Sequence, residues 1–510
     1  MSWSRLRTIG LLTGPLTAAV AYALLPETYR NAAGAEVAFT PAGRATFAAM
    51  IWMAVWWLTE AVDIEVTALL PLALFPLAGV RTIAQAAAPY ASDLIFLFMG
   101  GFVLALAMQR WGLDRRIALR TLRVVGARPR NVVGGMMLVT AALSMWVSNT
   151  ATAAVMLPIA LSVIRLAEAG RAEAGATPDR PFALSLLLGI AYGASIGGMV
   201  TLIGSPPNGI LAQFMRTELG RDIGFAQWLA IGGPVGLVLL PVAWWLLVVV
   251  LYPPRDVAIA GGPAWFDAEL RGLGAMSRGE RIVLLVFALT ALAWLARPWL
   301  VLWSPGGDWR PLAGLSDAGV AILATLALFV LPAGGHPPGA PPDVDPRGVR
   351  LIDWATAERL PWGVLVLFGG GLSLAAAVQA NGVAEFIGAQ AGWLRDLPPL
   401  VLVLAVTAAV IFLTELTSNT ATTATLVPVL AALAVGMGIA PELLIVPATV
   451  AASCAFMLPV ATPPNAIVFG SGAITLPEMA RAGLWLNLVG IGLITGLLYS
   501  VILPLLGIAP

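Results

Sequence analysis

Apolar stretches long enough to cross roughly 30 Å of hydrocarbon recur along the chain from residue 6 to residue 508. They lie at 6–25, 43–62, 66–80, 93–109, 182–215, 225–252, 280–296, 312–333, 360–380, 440–470 and 482–508. Two further stretches, 131–169 and 398–436, are too long for one helix, and each has a polar Ser-Asn-Thr at its centre. Each therefore reads as a helical hairpin that enters and leaves the bilayer on one side. Only 11% of the 510 residues are charged, less than half the roughly 25% of an ordinary soluble domain. The pattern predicts an all-α polytopic membrane protein of about 11 spans plus two re-entrant hairpins.

Charge and cysteine usage exclude several function classes. All 28 basic residues are Arg, against 27 acids, so there is no basic face for a nucleic acid. One cysteine, Cys454, and one histidine, His336, exclude a disulfide framework and a His/Cys metal cluster. With no Lys there is no phosphate-binding Gly-x-x-x-x-Gly-Lys-Ser/Thr loop, so ATP-driven transport is excluded. His336 sits in a Pro/Gly-rich loop and the spans hold no Ser–His or paired-Asp constellation, so an intramembrane enzyme is not expected. Arg5 and Arg7 precede the apolar run Ile9–Leu25, read as a retained first helix because more spans follow at once.

Seven arginines fall between residues 110 and 130. The positive-inside rule puts this segment in the cytoplasm. Alternation then puts Arg5 and Arg7, residues 253–281 and residues 334–359 (Arg347, Arg350, Arg359) inside as well. The expected orientation in a bacterial inner membrane is N-terminus cytoplasmic and C-terminus external. Asp114–Val125 reads as an amphipathic helix along the inner surface.

The two halves resemble each other. Phe98–Leu113 (FMGGFVLALAMQRWGL) matches Phe368–Val383 (FGGGLSLAAAVQANGV) at eight of 16 positions, and Ser148–Ala160 matches Ser418–Leu430 at seven of 13, both at an offset of 270. Gly204-Ser205-Pro206-Pro207-Asn208 likewise pairs with Ala461-Thr462-Pro463-Pro464-Asn465. By the span count the first hairpin opens to the cytoplasm and the second to the outside, the signature of an inverted-topology transporter. A channel would repeat its pore-lining elements in one orientation.

At a hairpin tip, Ser, Asn and Thr supply donors and acceptors without the cost of a buried charge. Helix carbonyl ends there suit a hard cation, and N–H ends suit an oxyanion. Consecutive prolines break a helix at membrane depth, which is tolerated only where the break lines a cavity. Two tips and two breaks would enclose one midplane site with no Arg in its core. The glycine runs Gly100–Gly101 and Gly369–Gly371 are expected at close helix contacts. Glu60, Asp63 and Glu65 read as interfacial, Glu415 as support for the second hairpin, Cys454 as a packing residue, and Trp56, Trp57, Trp244 and Trp245 as interface belts.

With these motifs the chain resembles the divalent anion–sodium symporter family, the Na⁺-coupled dicarboxylate, citrate and sulfate carriers. The resemblance is most specific at Ala452–Val468 (ASCAFMLPVATPPNAIV) and extends to Trp56–Gly79 (WWLTEAVDIEVTALLPLALFPLAG) and both SNT motifs. It implies a homodimer working by an elevator-type cycle. The scaffold part comprises residues 1–130 and 280–380, the transport part residues 131–252 and 386–510. Carried over, one Na⁺ site uses Ser144, Ser148, Asn149 and the Gly204 carbonyl; the other uses Thr414, Thr417, Asn419 and the Ala461 carbonyl. The anion meets Ser148, Asn149, Thr150, Ser205 and Pro206 from one half and Ser418, Asn419, Thr420, Thr462 and Pro463 from the other. Ser205 stands where members often have Thr, with the hydroxyl retained. The implied activity is Na⁺-coupled symport of a divalent anion such as succinate or malate. Na⁺-independent dicarboxylate exchange, and sulfate or citrate carriage on the same fold, stay open. The implied partners are the small-molecule anion and membrane lipid.

Overall fold

The computed structural model describes residues 3–31, 34–173, 177–255, 259, 262–304, 310–339, 348–390 and 397–508. Arg347, counted above among the inner arginines, lies outside the described residues. Among the described residues, eight helices are long and apolar enough to cross a membrane: Ile83–Arg110, Asn149–Glu173, Arg180–Val200, Phe225–Leu251, Arg278–Leu300, Trp362–Ala380, Asn419–Met437 and Leu476–Leu506. Shorter apolar helices cover Ile64–Leu77, Asp317–Val330, Pro399–Thr414 and Glu442–Ala452. Trp3–Leu24 packs along Pro41–Thr59.

Both long polar-centred stretches fold as hairpins. The first has arms Pro129–Ser144 and Asn149–Glu173, the second Pro399–Thr414 and Asn419–Met437. A proline lies inside each second arm at the matched positions Pro158 and Pro428. The stretches ending in Pro-Pro-Asn are broken helices. The first runs Arg180–Val200, unwinds, and resumes as Pro206–Glu218; the second runs Glu442–Ala452 and resumes as Pro463–Phe469.

The repeats interlock. Pro463–Phe469 packs on Arg180–Val200 and on the second arm of the first hairpin, while Pro206–Glu218 packs on Glu442–Ala452 and on the second arm of the second hairpin. Each break is thereby walled by the other half of the chain, which takes it out of lipid.

The fold departs from the sequence reading in three places. It is not purely helical: Thr28–Arg30 pairs antiparallel with Glu36–Ala38, and Pro332 bridges Arg350, because the connecting segments satisfy their own backbone groups before the next helix starts. The apolar face of the amphipathic helix Leu113–Val125 is turned in part to protein: Leu119 and Leu122 are buried, and the helix packs on Pro129–Ser144. Trp57 is fully buried, its indole N–H donating to the Ile64 carbonyl at 3.0 Å.

Glycines set the closest helix crossings. Gly100 abuts Ala321, and Gly370 abuts Ala68. In the helix Arg180–Val200, buried throughout from Leu184 on, Gly189, Gly193 and Gly197 recur every fourth residue and form a stripe against the first arm of the first hairpin. A Cβ on Gly193 would stand 2.9 Å from the Met137 carbonyl oxygen, and one on Gly197 would collide with the Ala141 carbonyl. Small residues at this spacing let membrane helices approach to backbone contact. Gly197→Val is expected to destabilise the protein by about 1–3 kcal/mol through overpacking, read as a lower melting temperature in detergent. Gly492→Ala, whose Cβ meets nothing within 4 Å, should melt like the parent; equal melting of both variants would refute the packing role.

Candidate functional site

Each hairpin turns in four residues, Met145–Ser148 and Glu415–Ser418, before its second arm begins at an asparagine. Ser148 and Ser418 cap these arms, their hydroxyls accepting from the Ala151 and Ala421 N–H groups at 3.3 and 3.5 Å. The asparagine turns its carboxamide oxygen back to the end of the first arm. Ser144 Oγ lies 2.6 Å from Asn149 Oδ1, and Thr414 Oγ1 lies 2.6 Å from Asn419 Oδ1. The contact is the same in both halves, 270 residues apart.

The breaks are built alike as well. Asn208 Nδ2 donates to the Gly198 and Thr201 carbonyls at 2.9 and 2.7 Å, and Asn465 Nδ2 donates to the Ala455 and Leu458 carbonyls at 3.2 and 3.0 Å. Each asparagine clamps the unwound strand preceding it. Both leave Oδ1 buried with no protein partner.

Tips and breaks meet at one cavity of about 950 Å³. Ser148, Asn149, Thr150, Ser205 and Pro206 line it from the first half, and Ser418, Asn419, Thr420, Thr462 and Pro463 from the second. Gly204, Ala461 and Thr417 are also on its wall. Ser144 and Thr414 lie fully buried behind the asparagines. Four helices start here, at Asn149, Pro206, Asn419 and Pro463, so positive dipole ends converge on the cavity; the two that begin Pro-Pro offer no N–H in their first two positions, and free N–H groups come from the hairpin arms at Asn149 and Asn419.

Oxygen atoms of the kind that hold a hard cation cluster beside each asparagine. Thr414 Oγ1 is 3.0 Å from the Ala452 carbonyl as well as 2.6 Å from Asn419 Oδ1. In the first half a Cβ on Gly204 would stand 2.7 Å from the Gly198 carbonyl and 3.1 Å from that of Ser144. That shell is therefore closed around glycine backbone. Ala461 carries a Cβ at the matching place, where the unwound segment is longer. The Thr417 hydroxyl is already engaged, 2.9 Å from the Leu413 carbonyl and 2.7 Å from Thr422 Oγ1.

The halves differ at one buried charge. Glu415, 3% exposed, occupies the place of Met145 in the first half. Its Oε1 accepts from the Phe456 and Met457 N–H groups at 2.7 and 2.9 Å and from Asn487 Nδ2 at 2.7 Å; its Oε2 accepts from the Leu458 N–H at 3.0 Å. The carboxylate thus takes up three consecutive N–H groups freed where the second broken helix unwinds. Asn487, three residues from Leu484 on the last helix, gave no signal in sequence because it belongs to no motif. In the first half the break is tied instead by the Thr201 hydroxyl donating to the Met145 carbonyl.

The mouth of the cavity is charged. Glu60, at a left-handed φ of 45°, pairs with Arg7 at 3.1 Å, and Asp63, Glu65 and Arg359 share the wall. The three acids, read above as interfacial, face the cavity because the turn Glu60–Asp63 folds inward between two helices. The arginines stand at this rim, away from the tips.

This arrangement defines a polytopic membrane protein whose two repeats jointly enclose one cavity with polar hairpin tips. The profile described as the sodium:sulfate symporter transmembrane region matches residues 34–506. The chain is 40% identical over 503 residues to the sodium-dependent dicarboxylate transporter SdcS of Staphylococcus saprophyticus, covering 98% of this chain and 92% of the relative. It is 41% identical over 459 residues to SdcS of Staphylococcus aureus, covering 90% and 86%. Two solved folds are similar: the YdaH transporter of Alcanivorax borkumensis, at TM-score 0.57, 16% identity and 98% coverage of both chains, and MtrF of Neisseria gonorrhoeae, at TM-score 0.59, 15% identity and coverage of 99% and 96%. The protein belongs to the sodium:sulfate symporter family, a family of membrane carriers and not of enzymes.

Removing the Glu415 carboxylate strands up to four buried donors, each worth about 1–3 kcal/mol when unsatisfied. Glu415→Ala should therefore lower the melting temperature markedly, and Glu415→Gln, which keeps one acceptor oxygen, should fall between it and the parent. Melting of Glu415→Ala at the parent temperature would show that the carboxylate does not support the break.

Proposed function

We propose that the protein carries a C4-dicarboxylate such as succinate or malate across the bacterial inner membrane by Na⁺-coupled symport with alternating access. The observation that carries this reading is the pair of matched oxygen clusters, Ser144–Asn149 and Thr414–Asn419, on two tips facing one cavity. The names of the relatives, sodium-dependent dicarboxylate transporters, support the ion and the substrate class.

Each cluster, with the Gly204 or Ala461 carbonyl, holds one Na⁺. The dianion lies between the tips, its carboxylates taken by the helix N-termini at Asn149, Pro206, Asn419 and Pro463 and by the Ser, Asn and Thr side chains beside them. With no guanidinium at the tips, helix dipoles and the two bound cations offset the anion's charge. Na⁺ completes the anion site, and by linkage the anion strengthens Na⁺ binding equally.

Uptake of succinate into proteoliposomes should cease when Na⁺ is replaced by K⁺ or choline; undiminished uptake would refute the coupling, and counterflow without Na⁺ would mark an exchanger. Asn149→Ala and Asn419→Ala should each abolish the thermal shift given by succinate with Na⁺ while leaving the protein folded. A panel including malate, citrate and sulfate separates the substrate readings.

The cycle is read as an elevator motion of the transport part against the scaffold part within a homodimer of about 11 spans and two hairpins per chain. The cavity mouth, with Arg7, Glu60, Gln109 and Arg359, is on the side that the arginine count assigns to the cytoplasm. On the opposite side the seam between the two parts is closed. Arg297 pairs with Asp317 at 2.8 Å and with Asp222 at 3.5 Å; Arg216 pairs with Asp93 and reaches Asp222 at 3.9 Å. Asp317 also accepts from the Phe225 N–H at 2.8 Å. Beneath them Trp146, from the first hairpin tip, stacks with Phe225 and with Trp294 of the scaffold part. These contacts support an inward-open, externally latched state. Arg297→Gln should shift the population outward, seen as reduced labelling from the cytoplasmic side of a cysteine placed at Val460 in a background with Cys454 replaced. Unchanged labelling would remove the latch from the account.

A further inference from the structure

Two helices form a collar on the arginine-rich face. Leu113–Val125 carries Arg116, Arg120 and Arg123 at helical spacings of four and three, so the three share one side. Gly262–Gly272 packs against it and contributes Arg271. Between the helices lies a groove of about 580 Å³ lined by these four guanidinium groups and a single carboxylate, Asp267.

The walls of this groove are fixed. Arg116 is 5% exposed. Its guanidinium holds Glu280 at 2.6 and 3.2 Å and the Gly274 and Leu273 carbonyls at 2.9 and 3.2 Å. Arg123 pairs with Asp267 at 2.7 Å, and Arg115 with Glu269 at 2.9 Å. These pairs lock the two helices together and cancel in charge. Arg120 and Arg271 are exposed and have no acidic partner within 4 Å among the described residues. The groove therefore keeps two uncompensated guanidinium groups on a preorganised frame. Guanidinium groups bind phosphate oxygens bidentately. The helix that carries Arg116, Arg120 and Arg123 also packs on Pro129–Ser144, the first arm of the first hairpin. Basic pockets on the cytoplasmic side of membrane proteins recognise phosphorylated head groups, and the arginine count assigns this face to the cytoplasm.

We propose that this groove binds the phosphate of an anionic phospholipid head group, bridging the two collar helices through Arg120 and Arg271. The site is separate from the transport cavity and does not depend on the substrate assigned there.

The test uses purified full-length protein in neutral detergent, titrated with phosphatidylglycerol, phosphatidylcholine or inorganic phosphate, with binding read by native mass spectrometry and melting temperature. Phosphatidylglycerol should bind and stabilise the parent, with phosphatidylcholine much weaker. At about 1 kcal/mol per arginine, Arg120→Gln combined with Arg271→Gln should weaken phosphatidylglycerol binding about thirtyfold. Asp267→Asn frees Arg123 and should strengthen it, which keeps the test informative if the double variant folds poorly. Arg128→Gln, outside the groove, should have no effect. Equal binding of phosphatidylglycerol by the parent, the Arg120/Arg271 double variant and Asp267→Asn would overturn the proposal. So would no preference over phosphatidylcholine, or inorganic phosphate binding as well as the lipid, which would mark a soluble phosphate site instead.

Discussion

A helix that stops inside hydrocarbon leaves several backbone N–H or carbonyl groups without partners, and water is not there to take them. Every feature of the central cavity answers that constraint. The hairpin ends are capped by Ser148 and Ser418, and the unwound strands are clamped by Asn208 and Asn465. In the second half the Glu415 carboxylate takes three more N–H groups. What is left over, helix N-termini and converging oxygens at the tips, is the chemistry available to a solute.

The two halves solve the problem with different means, which sets how alike their sites can be. The first break is short and tied by neutral groups, with Gly204 pressed between the Gly198 and Ser144 carbonyls. The second is longer, admits Ala461, and is organised by a buried negative charge. A carboxylate near the second oxygen cluster makes the two clusters electrostatically unequal, although the Ser144–Asn149 and Thr414–Asn419 contacts have the same length.

Much of this was legible in the chain because polarity inside apolar stretches is costly and therefore informative. The duplicated SNT tripeptides and Pro-Pro-Asn motifs located all four elements of the cavity. The stripe of Gly189, Gly193 and Gly197 formed no part of that reading, because a continuous apolar span conceals which face packs. Glu415 could be read as support, yet its partners could not: backbone N–H groups carry no sequence signal, and Asn487 lies 72 residues away. The charged seam was out of reach for the same reason, since Asp93, Arg216, Asp222, Arg297 and Asp317 come together only through folding. The inward turn of Glu60 depends on a left-handed residue that composition does not announce.

The central claim is that the two SNT tips and the two helix breaks form one binding site shared by both halves. A cryo-electron microscopy map of the protein in Na⁺ and succinate addresses it directly. Solute density is expected between Asn149 and Asn419, flanked by a smaller peak beside each asparagine. Succinate density elsewhere, or held by one half alone, would contradict it.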